Sequence, residues 1–178
     1  MSAIPVIETA RLRLTALDER HFEPYAEMLA DPSSTRFIGD GHPIDRMNAW
    51  RSMAMLLGHW TLRGYGMWAL ELRDGGEFIG RAGLHNPEGW PGIELGWMLR
   101  PQFRRQGYAT EAGRAALDFA FRQLGAERVI SLIRAENAAS ERVARRLDGR
   151  QNTTIDFLGK TTLVYTYHRA DGTGAARE

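Results

Sequence analysis

The sequence contains no cysteine, so disulfides, a thiol nucleophile and cysteine-bearing metal sites are excluded. Any chemistry that parks an acyl group on a protein thiol is excluded with them. Surplus charge is lacking too: 23 lysines and arginines face 22 aspartates and glutamates, for a formal net charge of +1. That balance gives no reason to expect direct nucleic-acid binding, which depends on neutralising phosphates. No apolar run approaches the roughly 20 residues that span a bilayer. The opening MSAIPVIETA lacks the basic start and apolar core of a secretory signal. A soluble, cytoplasmic protein without a membrane partner is expected. The five histidines (His21, His42, His59, His85 and His168) show no metal-ligand spacing with one another or with carboxylates, so no metal is expected. There is no internal repeat and no low-complexity segment.

What is present suffices for one core: 178 residues, 43% of them hydrophobic, with no obvious linker. A single domain over 1–169 is expected, with the tail 170–178 frayed and disordered. Arg11 to Leu17 alternates as a strand. Asp18 then caps a helix that runs to about Leu29 and is broken by Asp31-Pro32-Ser33-Ser34. After a loop from Thr35 to Pro43, a second helix is expected from about Ile44 to Leu62. Its stripe of Met47, Trp50, Met53, Ala54 and Leu57 has helical spacing and is read as core-facing. Met67–Leu72 and Phe78–Leu84 form a hairpin around Asp74-Gly75-Gly76.

The organising stretch is Ile93 to Leu124. Ile93, Leu95, Trp97 and Leu99 alternate with Glu94, Gly96 and Met98, the period of a strand. Arg104-Arg105-Gln106-Gly107-Tyr108-Ala109 follows, and a helix is expected from Thr110. A loop that opens directly onto a helix N-terminus suits an anion, because the first backbone N–H groups have no partner within the helix. Gly107 allows a positive φ, Ala109 is small, and Arg104 and Arg105 add mobile positive charge at the rim. A strand at Arg128–Ile133, reached through one helix, implies parallel pairing with the central strand. A helix over Asn137–Leu147 and a closing antiparallel pair, Thr153–Leu158 and Thr161–Tyr167, complete the chain. The fold class expected is α/β, a mixed and mostly antiparallel sheet with a central splayed parallel β-α-β unit.

Arg104 to Ala109 fits the signature [RQ]-x-x-G-x-[GA], and between about Glu8 and His168 the chain resembles the GNAT superfamily of acetyl-CoA-dependent N-acetyltransferases. ELGWML, a proline and RRQGYATEA look most like the branch containing the ribosomal-protein N-terminal (Rim-type) acetylases. The resemblance implies that coenzyme A lies with its pyrophosphate on the amides of Arg104, Arg105, Gln106, Gly107, Tyr108 and Ala109. It implies that the main chain of Trp97 and Leu99 meets the acetyl carbonyl and pantetheine, with Asn137 hydrogen-bonding the same arm. Asn137 also fits an ordinary helix cap. Ser140 matches a serine placed near the coenzyme sulfur, and Leu147-Asp148-Gly149 replaces the usual Leu-Gly-Phe.

Acetyl transfer to an amine needs a base for the ammonium proton and an acid for the leaving thiolate. Glu94 is the first candidate base, provided that a bulge near Gly96 turns it into the cleft; otherwise it is a solvent-facing or arginine-paired carboxylate. His85 is the second. Ser140 is the only proton donor nominated. The expected activity is direct ternary-complex transfer from acetyl-CoA to a primary amine, on a protein N-terminus or a small molecule, by a monomer or homodimer. The rival is a non-catalytic module that binds acyl-CoA as a sensor or scaffold.

Overall fold

Leu12 and Leu14 are fully buried while Arg11 and Arg13 face solvent, and this alternation sets the first strand pairing. In the computed structural model of the protein, which describes residues 3–169, they form β2 (Leu12–Thr15). The expected tail, 170–178, lies outside the described residues. A short β1 (Ile7–Glu8), not read from the sequence, pairs with β2. The sheet continues through β3 (Met67–Leu72), β4 (Phe78–His85), β5 (Glu94–Leu99), β6 (Arg128–Arg134), β7 (Arg150–Phe157) and β8 (Lys160–His168), in the order β1-β2-β3-β4-β5-β6-β8-β7. Every pairing is antiparallel except β5 with β6. The expected mixed sheet with one parallel unit is therefore what the chain forms.

Between β5 and β6 runs α4 (Tyr108–Arg122), two residues earlier than expected, burying Ala109, Ala112, Gly113, Ala116, Leu117 and Ala120. This row of small residues lets the helix lie close to the sheet and to its neighbour; a Cβ on Gly113 would meet Leu147 Cδ1 at 2.7 Å. Leu147 closes α5 (Ala138–Arg146), and Asp148 takes a φ of 63°. Aspartate tolerates that left-handed position, so the turn forms without the glycine that the resemblance leads one to expect there.

The other face carries α1 (Phe22–Ala30), α2 (Pro32–Thr35) and α3 (Arg46–Arg63). Asp31-Pro32-Ser33-Ser34 does end α1, but Asp31 also accepts from Ser33 N–H and so starts α2 rather than a loop. On α3 the expected core stripe is mostly on the wrong side. Met47 and Trp50 are 59% and 58% exposed, Ala54 is exposed, and the buried face is Ala49, Met53, Leu56, His59 and Trp60. Apolar residues surround this helix, so period alone does not choose a face. Trp60 chooses it: its indole N–H donates to Met67 O at 2.9 Å and its ring stands edge-on to Trp68.

A buried polar pair pins α1 to the sheet. Asp18 N–H donates to His21 Nδ1 at 3.0 Å, so the imidazole proton sits on Nε2 and is given to Glu71 Oε1 at 2.9 Å. Both residues are buried, His21 at 3% and Glu71 at 6% exposure. His21→Leu should therefore cost about 3 kcal/mol in urea unfolding, because it strands the carboxylate. Adding Glu71→Met should recover most of that loss; a double variant no better than the single would show that Arg20, 3.9 Å away, already satisfies Glu71.

Candidate active site

The parallel pair barely holds. Ile130 N–H donates to Ile93 O at 2.9 Å, and Glu94 opposite Ile130 is the whole register. One step on, Leu95 O accepts from the Ser131 hydroxyl at 2.7 Å, and that hydroxyl lies 3.1 Å from Tyr167 OH. A side chain has replaced the backbone ladder, and the strands part. Carbonyls of alternate residues point the same way, so the Trp97 N–H and C=O and the Leu99 N–H lie along the open side of β5. Leu99 O is taken by Arg104 Nε at 3.1 Å.

At the carboxyl end of β5 the loop makes two left-handed turns, Arg105 at φ 62° and Gly107 at φ 86°. No side chain caps α4, which leaves its first amides open. The loop is held from behind by Arg11, whose Nη1 donates to Gln106 O at 2.9 Å and whose guanidinium lies 4.4 Å over the Tyr108 ring. Arg11 also binds Glu111 at 2.7 Å, and Thr9 Oγ1 donates to the same carboxylate at 2.6 Å. Burial is the largest single influence on Glu111 and raises its pKa, but Thr9 and the amide and guanidinium of Arg11 together bring it below the usual carboxylate range. The one negative charge in the first turn of α4 is thus neutralised before an anion arrives.

Arg104 departs from expectation. It is no mobile rim charge: Nη1 donates to Ser33 Oγ at 2.9 Å, Nη2 donates to Ser34 Oγ, and Asp31 lies 3.6 Å away. It ties the loop to α2. Arg105 is exposed, and the Gln106 side chain donates to Gln102 O at 3.0 Å.

Glu94 needs no bulge. The β4–β5 register is unbroken from Gly80↔Leu99 to His85↔Glu94, and plain alternation puts Glu94 on the face of Met98, under α1 and α3. Trp90, from the loop before β5, donates its indole N–H to Glu94 Oε2 at 2.6 Å. Burial pushes the Glu94 pKa up to about 7, against the smaller opposing pulls of Trp90, the Leu132 amide and Arg81. Across the strand pair, burial, then His59 and Arg81, push His85 down to about 4. The rings of His59 and His85 stack at 5.0 Å. The usual order of a carboxylate and an imidazole is reversed, so the group that exchanges a proton near neutral pH is Glu94.

A sequence profile of the acetyltransferase (GNAT) domain matches residues 11–150. The protein belongs to the GNAT family. An acetyltransferase from Agrobacterium tumefaciens, known as a crystal structure, is 33% identical and superposes with a TM-score of 0.84 over 95% of this chain and 97% of its own. The FsC-acetyl coenzyme A-N(2)-transacetylase of Aspergillus fumigatus is 31% identical over 152 residues, 80% of this chain and 64% of the relative. At 20% identity, a ribosomal L7/L12 α-N-protein acetyltransferase in complex with coenzyme A shares the fold, with a TM-score of 0.76 over 93% of this chain and 97% of that one. The protein is an N-acetyltransferase, of a family that uses acetyl-CoA.

The remaining nominated residues of this GNAT domain sit at the carboxyl end of β6. Asn137 caps α5, accepting the Ser140 N–H on its side-chain oxygen at 3.1 Å, which is the ordinary capping role. Ser140 is half-buried, its amide used and its hydroxyl without a partner among the described residues. Sequence reasoning missed Trp90, Arg11, Ser131 and Tyr167. Only Trp90 left a signal, an aromatic between glycine and proline four residues before Glu94. Among the described residues no three His, Cys, Asp or Glu side chains gather as metal ligands, and no helix is long and apolar enough to cross a membrane.

Proposed function

We propose that the protein acetylates a primary amine by direct transfer in a ternary complex, with Glu94 as the base. The single observation that carries this reading is the Glu94 carboxylate held by the Trp90 indole at 2.6 Å where β5 and β6 separate, with burial pushing its pKa up to about 7. Such a group is charged often enough to take a proton and basic enough to keep it. Acetyl-CoA would supply the acetyl thioester. Its fit is supported by the uncapped amides of Tyr108 and Ala109, by the φ of 86° at Gly107 and by the open edge of β5. The loop 105–109 would hold the pyrophosphate, Arg105 with a side chain and the others through the backbone, while Arg104, whose amide donates to Pro101 O at 3.3 Å, would set the path of the loop. Trp97 and Leu99 would orient the pantetheine arm through the main chain, and Asn137 through its free side-chain N–H. Glu94 would take the ammonium proton, while Trp90 keeps the carboxylate aimed. The Ser140 hydroxyl would face the thiol leaving group.

The finer reading, a Rim-type enzyme acting on a protein N-terminus, rests on sequence resemblance, and a small-molecule amine fits the same machinery. Calorimetry with coenzyme A, followed by thiol release from acetyl-CoA over a panel of peptides and small amines, tests the proposal. Binding with amine-dependent release is expected. Binding without release from any amine would leave the sensor or scaffold reading in its place.

A further inference from the structure

Four arginines are half-buried among the described residues: Arg81, Arg100, Arg104 and Arg134. The fold satisfies three of them. Arg100 reaches Glu77, Glu27 and Phe78 O; Arg104 reaches Leu99 O, Ser33 and Ser34; Arg134 reaches Phe157 O, Thr162 and Gly39 O. Arg81 is the exception. Its Nε is buried without a partner, and no carboxylate among the described residues comes within ion-pair distance of it. Leaving a half-buried guanidinium unpaired is costly, and arginine is the side chain best shaped to grip a carboxylate with two N–H groups.

Its position gives the vacancy meaning. Arg81 pairs with Met98 and His85 with Glu94, so all four share the face of the sheet under α1 and α3. Between them the pairing is glycine to glycine, Gly83↔Gly96, and the flexible Met67 side chain lies over it, its Cε 2.9 Å from where a Cβ on Gly96 would stand. Four strand residues span about 13 Å, and an arginine side chain shortens that gap considerably. Arg81 Nε lies buried on this face, on the strand that also carries His85 and beside the strand that carries Glu94. His85 Nδ1, also buried without a partner, is a second polar atom on the same face.

We propose that Arg81 binds a carboxylate on the acceptor, so that the amine delivered to Glu94 belongs to an amino acid or another small amino-carboxylate. The inference rests on the acetyltransferase reading and narrows its acceptor. A positive charge held in the cleft attracts such a molecule and repels polycations such as polyamines and aminoglycosides. Arg81 acts here on specificity; the proton still goes to Glu94.

The test compares kcat/KM for amines that differ only in one group: glycine, β-alanine, 4-aminobutyrate and lysine against their carboxamides, with spermidine as the polycation. Rates are referred to the free-base concentration of each amine. For the chain length that spans the gap, the carboxylate member should be favoured by about ten- to hundred-fold, the range of one charge-assisted hydrogen-bonded contact. Read at about pH 9, where Glu94 is deprotonated with or without the Arg81 charge, Arg81→Ala should remove that preference by lowering the carboxylate rate alone, and Arg81→Lys should restore part of it. Coenzyme A affinity, read by calorimetry, should stay at the parent value in both variants. A parent enzyme that uses carboxamides or spermidine as well as carboxylates overturns the proposal without any variant. So does an Arg81→Ala variant in which both members of each pair fall together. Coenzyme A binding with no amine turned over would overturn the acetyltransferase reading and this one with it, whereas indifference to the carboxylate overturns this one alone.

Discussion

Gly107→Val should weaken coenzyme A binding by about thirty-fold or more while the protein stays folded. Gly107 sits at φ 86°, where a side chain costs roughly 1–2 kcal/mol and a β-branched one resists most. The chain can relieve that strain only by turning the loop away from the geometry in which the α4 amides converge. A loss of about 2 kcal/mol in binding is a thirty-fold change in Kd. The same strain is small beside a typical folding stability of about 5–15 kcal/mol. Even alanine is crowded, because a Cβ at Gly107 would sit 3.3 Å from Arg11 Nη2, so Gly107→Ala should fall between parent and valine. Titration calorimetry and urea unfolding of the three proteins separate the effects. A valine variant that binds coenzyme A at the parent affinity would sink the assignment of this loop.

Glu94→Gln should lower kcat/KM by about a hundred-fold or more, the lower end expected when a general base is removed. Glutamine keeps the shape and can still accept the Trp90 hydrogen bond but does not take a proton. In the parent, activity should rise with pH through about 7, the value to which burial lifts the Glu94 pKa, and the variant should lose that rise. Coenzyme A affinity should not change. Stability supplies a second readout. A carboxyl whose folded pKa is raised from 4.5 to about 7 favours the fold fully only below pH 4.5, and that contribution is lost as pH climbs through 7. The loss is on the order of 3 kcal/mol by pH 8. Glu94→Gln should therefore melt higher than the parent at pH 8 and together with it near pH 4.5. A variant with parent activity, an intact pH rise and no such crossover would remove Glu94 from the mechanism, and His85, held to about 4 by its surroundings, would be a poor replacement.

The shape of the loop from Arg104 to Ala109 was readable because everything that makes it is local: a strand, two left-handed residues and a helix start within a few positions. The sheet was readable for a similar reason, since β-α-β connectivity forces the parallel pairing on which the split depends. Its ends drifted by one to three residues, as at β7, which begins at Arg150 rather than Thr153. What alternation along one strand does not reveal is which face of the sheet holds the cleft. Both faces of β5 are covered by helices, so both look apolar, and a bulge was invoked for Glu94 where regular pairing suffices. The partners that give Glu94 and His85 their unusual proton affinities come from cross-strand register and from a loop, and neither is periodic. Arg104 shows the same limit: its charge looked free because Asp31, Ser33 and Ser34 lie some 70 positions earlier in the chain. On α3, apolar residues on every side left the choice of face to a single tryptophan hydrogen bond.

A crystal structure of the protein with coenzyme A bound tests the central claim most directly, because that claim is about where one molecule lies. The pyrophosphate should rest on the amides at the start of α4, with the pantetheine arm along Trp97 and Leu99 in the gap beside β6. Its thiol should end near Ser140, within reach of an amine held by Glu94. Coenzyme A found elsewhere, or a thiol on the far side of the sheet from Glu94, would contradict the account.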